Sequence, residues 1–240
     1  MKLTRSLLIL LLLAAGLSSG AYAEEPPATS AASYILMDAA SGRALAAHNA
    51  DDPRLIASTT KIMTALIALE RCDPDREVEI VPAWTGIEGS TMYLAAGQVM
   101  TVRDLLYGLM LASGNDAAVA LACITAGDVE TFAELMNERA AELGCEHTHF
   151  ENPNGLDSDA HYSCARDLAI IAREAIRSEE FRTIVSTSSA EVGGMTFTNH
   201  NRLLRECEGV FGVKTGYTEA AGRILVSCVE REGFRLICVT

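Results

Sequence analysis

The sequence contains no internal repeat, no C-x-x-C pair and no Cys/His spacing suited to a metal ion. A repeat array and a structural zinc site are therefore poor descriptions of it. It is also short of cations: 19 Lys and Arg stand against 32 Asp and Glu, a formal net charge of −13. An acidic surface of that size repels phosphate backbones and offers no broad basic patch, so nucleic acid is a poor partner. Individual basic residues can still sit in a cleft, so a small carboxylate substrate stays open. No apolar run reaches the ~20 residues of a membrane-spanning helix. Leu7 to Leu13 is uninterrupted, but Ser18-Ser19-Gly20 ends the apolar stretch soon after it. The cysteine count, seven, is odd, and no disulfide framework can be inferred from it. Cys123 and Cys228 lie in apolar runs and are expected to behave as small buried hydrophobes. His147 and His149 form an H-x-H without a nearby third ligand, which is more often incidental than a metal site.

The N-terminus has the layout of a secretory signal peptide: basic Lys2 and Arg5, the Leu7 to Leu13 core, and the small-x-small Ala21-Tyr22-Ala23. Cleavage after Ala23 removes two cations and no anions, taking the net charge from −13 to −15. Residues 24–32 read as a flexible leader, and residues 33–240 as the folded domain. Within it Tyr34 to Met37, a turn at Ala40-Ser41-Gly42, and Arg43 to Ala46 read as a hairpin. From Ser58 to about Ile184 the apolar period is mostly helical, clearest over Val129 to Leu143. Thr101 to Asp104 reads as a capping box and Ser163 as the N-cap of a later helix. After Val185 the period shortens, and Met195 to Thr198, Phe211 to Thr218, Ile224 to Val229 and Phe234 to Val239 read as strands, the last two joined at Arg231-Glu232-Gly233. The expected fold class is α/β: one sheet built from both chain ends, with a mostly helical insertion between them and the chemistry at the seam.

Three short polar motifs carry that chemistry: Ser58-Thr59-Thr60-Lys61, Ser113-Gly114-Asn115 and Lys214-Thr215-Gly216. Ser58 precedes Ile62 to Leu69, apolar on nearly every side, as in a helix buried in the middle of a protein. Residues three apart share a helix face, so Lys61 stands about one turn from Ser58. Burial lowers a lysine's pKa, and a neutral amine beside a hydroxyl can take its proton. The Ser58 N–H, at a helix N-terminus, suits an oxyanion. In isolation S-x-x-K more often means a serine N-cap with a solvated lysine. Ser113-Gly114-Asn115 alone is a plain interhelical turn, and Lys214 alone an edge-strand charge. Flanked by apolar helices, however, Ser113 and Asn115 are placed at the edge of the core. Lys214 adds positive charge, Thr215 a hydroxyl for a carboxylate, and Gly216 room for close approach to the backbone.

Together, in this order, the motifs resemble those of the low-molecular-mass penicillin-binding proteins, the D-alanyl-D-alanine carboxypeptidases among the SxxK acyltransferases. Ser58 to Thr64, Ser113 to Ala117, Asn154 to Asp157, Ser163 to Asp167 and Gly212 to Thr218 all match locally, and the likeness spans residues 33 to 240. The resemblance implies a β-lactamase/DD-peptidase-like fold and an exported serine hydrolase. It removes the terminal D-alanine of peptidoglycan stem peptides through an acyl-Ser58 intermediate, without metal or organic cofactor. Lys61 is then the base, Ser113 the proton relay and Asn115 a backbone holder. Lys214, Thr215 and Gly216 bind substrate, and the Tyr217 N–H completes the oxyanion hole. β-Lactams become covalent inhibitors, and the expected location is the cell wall, the periplasmic space or the outer face of the membrane. A DD-endopeptidase or weak β-lactamase, and a non-catalytic wall-binding module, are the alternatives. No E-x-x-x-N supplies a deacylating glutamate, and Glu151-Asn-Pro-Asn-Gly155 does not fit one. A penicilloyl-enzyme should therefore persist. Relatives continue past the position of Thr240 with more sheet, a carboxylate-binding arginine and often a membrane-binding tail. The sequence thus reads as truncated at its C-terminus, and Phe234 to Val239 is expected beside an unpaired, aggregation-prone edge.

Overall fold

A computed structural model describes residues 28–240; the signal-peptide features and residues 24–27 of the leader lie outside the described residues. The N-terminal hairpin forms as read, from β1 (Tyr34–Asp38) and β2 (Ala44–His48). Then come a 3-10 turn (Ala57–Thr60), α1 (Lys61–Arg71), and two short strands that the apolar pattern did not signal, β3 (Glu77–Glu79) and β4 (Val99–Thr101). The helical block continues with α2 (Val102–Leu111), α3 (Asn115–Ala126), α4 (Val129–Glu142), α5 (Ala165–Ala175) and α6 (Glu179–Ser186). A small hairpin, β5 (Ser189–Val192) and β6 (Met195–Thr198), and a single turn, α7 (Leu203–Glu206), lead to β7 (Val210–Thr218), β8 (Gly222–Arg231) and β9 (Phe234–Val239).

Local chemistry accounts for the ends of these elements. At the start of α2 the Thr101 side chain accepts from the Asp104 N–H, and the Asp104 carboxylate accepts from the Thr101 N–H, a reciprocal capping box. The cap of α5 differs from the sequence expectation. Cys164, not Ser163, is the N-cap, its sulfur accepting from the Asp167 N–H. Ser163 is drawn one residue back into a backbone bridge with Arg54, and its hydroxyl meets that of Thr148 at 2.7 Å. The β8–β9 turn has Glu232 and Gly233 both at positive φ, the geometry that suits a right-twisted hairpin.

The main sheet runs β2-β1-β9-β8-β7, antiparallel throughout. Both chain ends contribute to it, and the helical block is the insertion between. The ordering corrects one expectation. Strand β9 is not beside an open edge but is paired with β1 on one side and β8 on the other, and Ile237 and Val239 are fully buried. The edges are β2 and β7. Register places Ile35, Met37, Ile237, Val239, Val226 and Cys228 on one face, with Lys214 in the same row. Helix α5 packs on that face against β1, β8 and β9, and α6 packs on β7. Behind them α1 contacts α2, α3, α4, α5 and α6, which explains why every residue from Lys61 to Ala68 is buried. Cys228 is buried as expected, whereas Cys123 is only half-buried, and all seven cysteines are unpaired. Among the described residues no helix is long and apolar enough to cross a membrane.

Candidate active site

The turn that carries Ser58 is tightened by its neighbours. The Thr59 and Thr60 hydroxyls donate back to the carbonyls of Ile56 and Ala57, at 2.6 and 2.8 Å. The backbone bonds span three residues too, Thr59 N–H to the Ile56 carbonyl and Lys61 N–H to the Ser58 carbonyl, so the segment is 3-10 and α1 begins only at Lys61. In a 3-10 turn residues three apart eclipse, which sets Lys61 Nζ 2.9 Å from Ser58 Oγ. The sequence expectation of a plain helix start is refined accordingly.

Lys61 is fully buried. Its Nζ also donates to Asn115 Oδ1 at 2.8 Å and to the Asn154 carbonyl at 2.6 Å. Burial first, and Lys214 second, push its pKa well below the ordinary lysine range, against a smaller opposing pull from Asp116. Two fixed acceptors and one hydroxyl match a neutral amine well. In the neutral form its two N–H groups serve Asn115 and Asn154 and its lone pair faces Ser58 Oγ, to which the charged form donates.

The Asn154 carbonyl is a site group that sequence reasoning missed. Its loop docks against the Ser58 turn so closely that a Cβ on Gly155 would lie 1.9 Å from the Ala57 carbonyl oxygen. Gly155 also has φ +87°. The loop is fastened at several points: Thr64 Oγ1 donates to the Pro153 carbonyl at 2.6 Å, and Thr218 Oγ1 donates to Asp157 at 3.0 Å. A buried histidine, also unanticipated, completes the fastening. The Glu151 N–H donates to His161 Nδ1 at 3.1 Å, so the ring proton sits on Nε2, which faces Thr60 Oγ1 at 2.8 Å. Burial, the largest cause, holds the His161 pKa down to about 4, whereas Glu151 and Asp157 oppose it.

That depression has a testable sign. The unfolded chain, near the ordinary imidazole value of 6.5, binds a proton that the folded chain refuses. Stability from neutral His161 is therefore full above pH 6.5 and is lost as pH falls toward 4, on the order of 2–3 kcal/mol by pH 4.5. Urea unfolding at pH 7 and pH 4.5 should give a smaller difference for His161→Gln than for wild type. Equal differences would show that His161 is not the titrating group.

The second motif lies between α2 and α3. Ser113 adopts φ +59°, a left-handed conformation strained for a serine, and is almost fully buried at the cavity wall. Asn115 is the first residue of α3 rather than part of the loop. Its Nδ2 donates to the Glu88 carbonyl at 2.6 Å, which orients Oδ1 toward Lys61. Next to it, Asp116 gathers the facing loop by accepting from the Met92 and Leu94 N–H groups and from the Thr91 hydroxyl.

The third wall is β7. Lys214 is 2% exposed, its Nζ donates to the Thr215 carbonyl at 2.9 Å, and burial takes its pKa down to about 7. Leu225 exchanges both backbone bonds with Thr240, so its neighbours Ile224 and Val226 bond to β7. Pairing alternates, and Thr215 and Tyr217, opposite Leu225 and Arg223, turn their N–H and C=O groups to the open edge. Gly216 has a use besides the one expected. Its missing Cβ would sit 3.1 Å from the Ile56 carbonyl and 3.3 Å from Ala57 Cβ, so it admits the Ser58 turn against the strand. Ser58, Ser113, Thr215, Gly216 and Tyr217 thus line one cavity of about 670 Å³. Among the described residues no group of three His, Cys, Asp or Glu side chains is arranged to hold a metal.

Residues 20–240 match the family model described as D-alanyl-D-alanine carboxypeptidase, peptidase family S11. The chain belongs to that family. It is 34% identical to the D-alanyl-D-alanine carboxypeptidase DacF of Bacillus subtilis, across all of this chain and 66% of that protein. A D-alanyl-D-alanine carboxypeptidase of a Streptomyces species is 35% identical over 99% of this chain and 91% of its own. Among solved structures, penicillin binding protein 6B from Escherichia coli superimposes with a TM-score of 0.87 at 37% identity, covering 92% of this chain and 74% of that one. The chain spans 66% of DacF and 62% of Escherichia coli DacD. Within the D-alanyl-D-alanine carboxypeptidase family, then, all three motifs of this chain meet at one cavity.

Proposed function

We propose that the chain acts as an exported serine DD-carboxypeptidase that releases the terminal D-alanine of peptidoglycan stem peptides. One observation carries the proposal: the buried Lys61 amine lies 2.9 Å from Ser58 Oγ, with Asn115 and Asn154 occupying its other hydrogens. As neutral amine, Lys61 takes the Ser58 proton while Oγ attacks the penultimate D-alanyl carbonyl. The developing oxyanion is held by the Ser58 N–H, in the first turn of its helix, and by the Tyr217 N–H at the β7 edge. Substrate lies along that edge as an added strand. The proton passes from Lys61 to Ser113 and on to the departing nitrogen. Lys214 lies close enough to depress the Lys61 pKa electrostatically, and with Thr215 it draws the substrate carboxylate. Water then cleaves the ester by the same route in reverse.

β-Lactams enter as mimics that acylate Ser58 and stay. The carboxylate side chain lining the cavity, Glu206, is paired with Arg202 at 2.8 Å, and no E-x-x-x-N supplies a deacylating glutamate. Action outside the cytoplasmic membrane, at the wall, follows from the signal-peptide reading. The test is release of free D-alanine from a peptide ending in D-Ala-D-Ala. Wild type should turn over and Ser58→Ala should not. Sustained rapid hydrolysis of a chromogenic cephalosporin, with no D-alanine released, would make the protein a β-lactamase instead.

A further inference from the structure

The Asp116 carboxylate is 1% exposed, and acyl transfer as described gives it no part. It stands in the first turn of α3, next to Asn115. Some of its surroundings are ordinary there: Oδ1 accepts from the Ala117 N–H at 2.9 Å, and an acid suits a helix N-terminus. Its other three bonds leave the helix. Oδ1 accepts from the Met92 N–H at 3.0 Å, and Oδ2 from the Leu94 N–H at 3.1 Å and the Thr91 hydroxyl at 2.6 Å. Thr91 Oγ1 in turn accepts from the Tyr93 N–H at 2.9 Å. All four partners of Asp116 are donors, the setting of a charged carboxylate, and among the described residues it is in no ion pair.

These bonds bracket two strained residues. Tyr93, between Met92 and Leu94, has φ +64°, and Ser113, three residues before Asp116, has φ +59°. Both conformations cost energy and persist only where the surroundings fix them. Gly114 shows how tightly the two turns are joined. A Cβ there would lie 2.8 Å from Asp116 Oδ1 and 3.2 Å from the Met92 nitrogen. The Asn115 N–H closes the same joint, donating to the Ser90 carbonyl at 2.7 Å, and Ser90 lines the cavity with Ser58 and Ser113. The charge has a second use. The titratable groups facing Lys61 are Lys214 from β7, His161 from the loop that carries Asn154, and Asp116 from α3. Asp116 is the anion among them, and it opposes the burial and the Lys214 charge that disfavour an ammonium at Lys61.

We propose that Asp116 is a positioning residue for acyl transfer: its carboxylate locks the Thr91 to Leu94 turn onto the Ser113 turn and stands as counter-charge to the Lys61 ammonium formed when Ser58 gives up its proton. The inference rests on the serine acyl-transfer reading above. It adds no step to that reaction and consumes no further reactant.

The test follows benzylpenicillin acylation of the full chain against pH, above about pH 5, where His161 is neutral, with a thermal melt of each variant. The rate should climb with pH as Lys61 loses its proton. Asp116→Asn keeps the size and one oxygen but removes the charge. Its plateau should fall about tenfold as the Ser113 turn loosens, and the midpoint of its climb should move about one unit to lower pH, because an opposite charge no longer favours the ammonium. Asp116→Glu keeps the charge and misplaces the oxygens, so its plateau should fall while its midpoint stays with wild type. A lowered plateau with the Asp116→Asn midpoint unmoved would make Asp116 a support of the fold alone and overturn the proposal. If Asp116→Asn does not fold, Asp116→Glu decides: an unchanged plateau, or a midpoint displaced by about one unit, overturns it. Wild type that is not acylated at any pH overturns the acyl-transfer reading itself.

Discussion

Lys61→Arg should lower the rate of Ser58 acylation by about 10²–10⁴-fold, the usual contribution of a general base, while the far-UV circular dichroism stays native. Arginine keeps the positive charge but stays protonated at any pH the protein tolerates, so it cannot accept the Ser58 proton. It is also larger, in a site where the lysine is fully buried, and overpacking of that kind costs roughly 1–3 kcal/mol. A thermal melt therefore belongs beside the kinetic measurement, so that lost acylation is read only from folded protein. Near-normal acylation by the folded variant would mean that Lys61 is not the base.

Gly155→Ala should be nearly as damaging, although Gly155 is not among the residues that the chemistry uses. Its φ of +87° already disfavours a side chain, and the added Cβ would overlap the Ala57 carbonyl, one residue before Ser58. Strain and overpacking together should cost on the order of 3 kcal/mol. The loop can escape only by moving away, which takes the Asn154 carbonyl from Lys61 and slows acylation too. Gly222→Ala is the control. Its φ is +75°, yet nothing lies within 4 Å of where its Cβ would stand, so it should cost only about 1–2 kcal/mol and leave acylation alone. Urea midpoints and penicillin acylation rates check both. Equal costs for the two variants would show that the close approach to Ala57 is unimportant.

These two substitutions mark where the sequence was legible and where it was not. Side-chain chemistry at short spacing was readable. Ser58 and Lys61 belong to one turn, Ser113 and Asn115 flank a helix start, and Lys214 falls in a strand, so their order alone pointed to one cavity. The Asn154 contribution was not readable because it comes from a backbone carbonyl, which every residue has. His161 is a lone histidine, and only the fold reveals that it joins Glu151 to Thr60. The packing use of Gly216 was hidden for a related reason: a missing Cβ shows what must come close only once the Ile56 carbonyl is seen facing it. Element types followed apolar period well for α4 and the long strands. It failed for β3 and β4, at three residues too short to carry a period. The position of β9 was misjudged because pairing between β1 and β9 joins residues at opposite ends of the chain. No local pattern records a partner that distant.

The most direct measurement is to locate a penicillin adduct by mass. The chain is incubated with benzylpenicillin, digested, and mapped. A single penicilloyl group on the peptide containing Ser58, absent from Ser58→Ala and nearly absent from Lys61→Arg, is the predicted result. An adduct on another residue, or undiminished labelling of the Ser58→Ala protein, would contradict the assignment of Ser58 as the nucleophile.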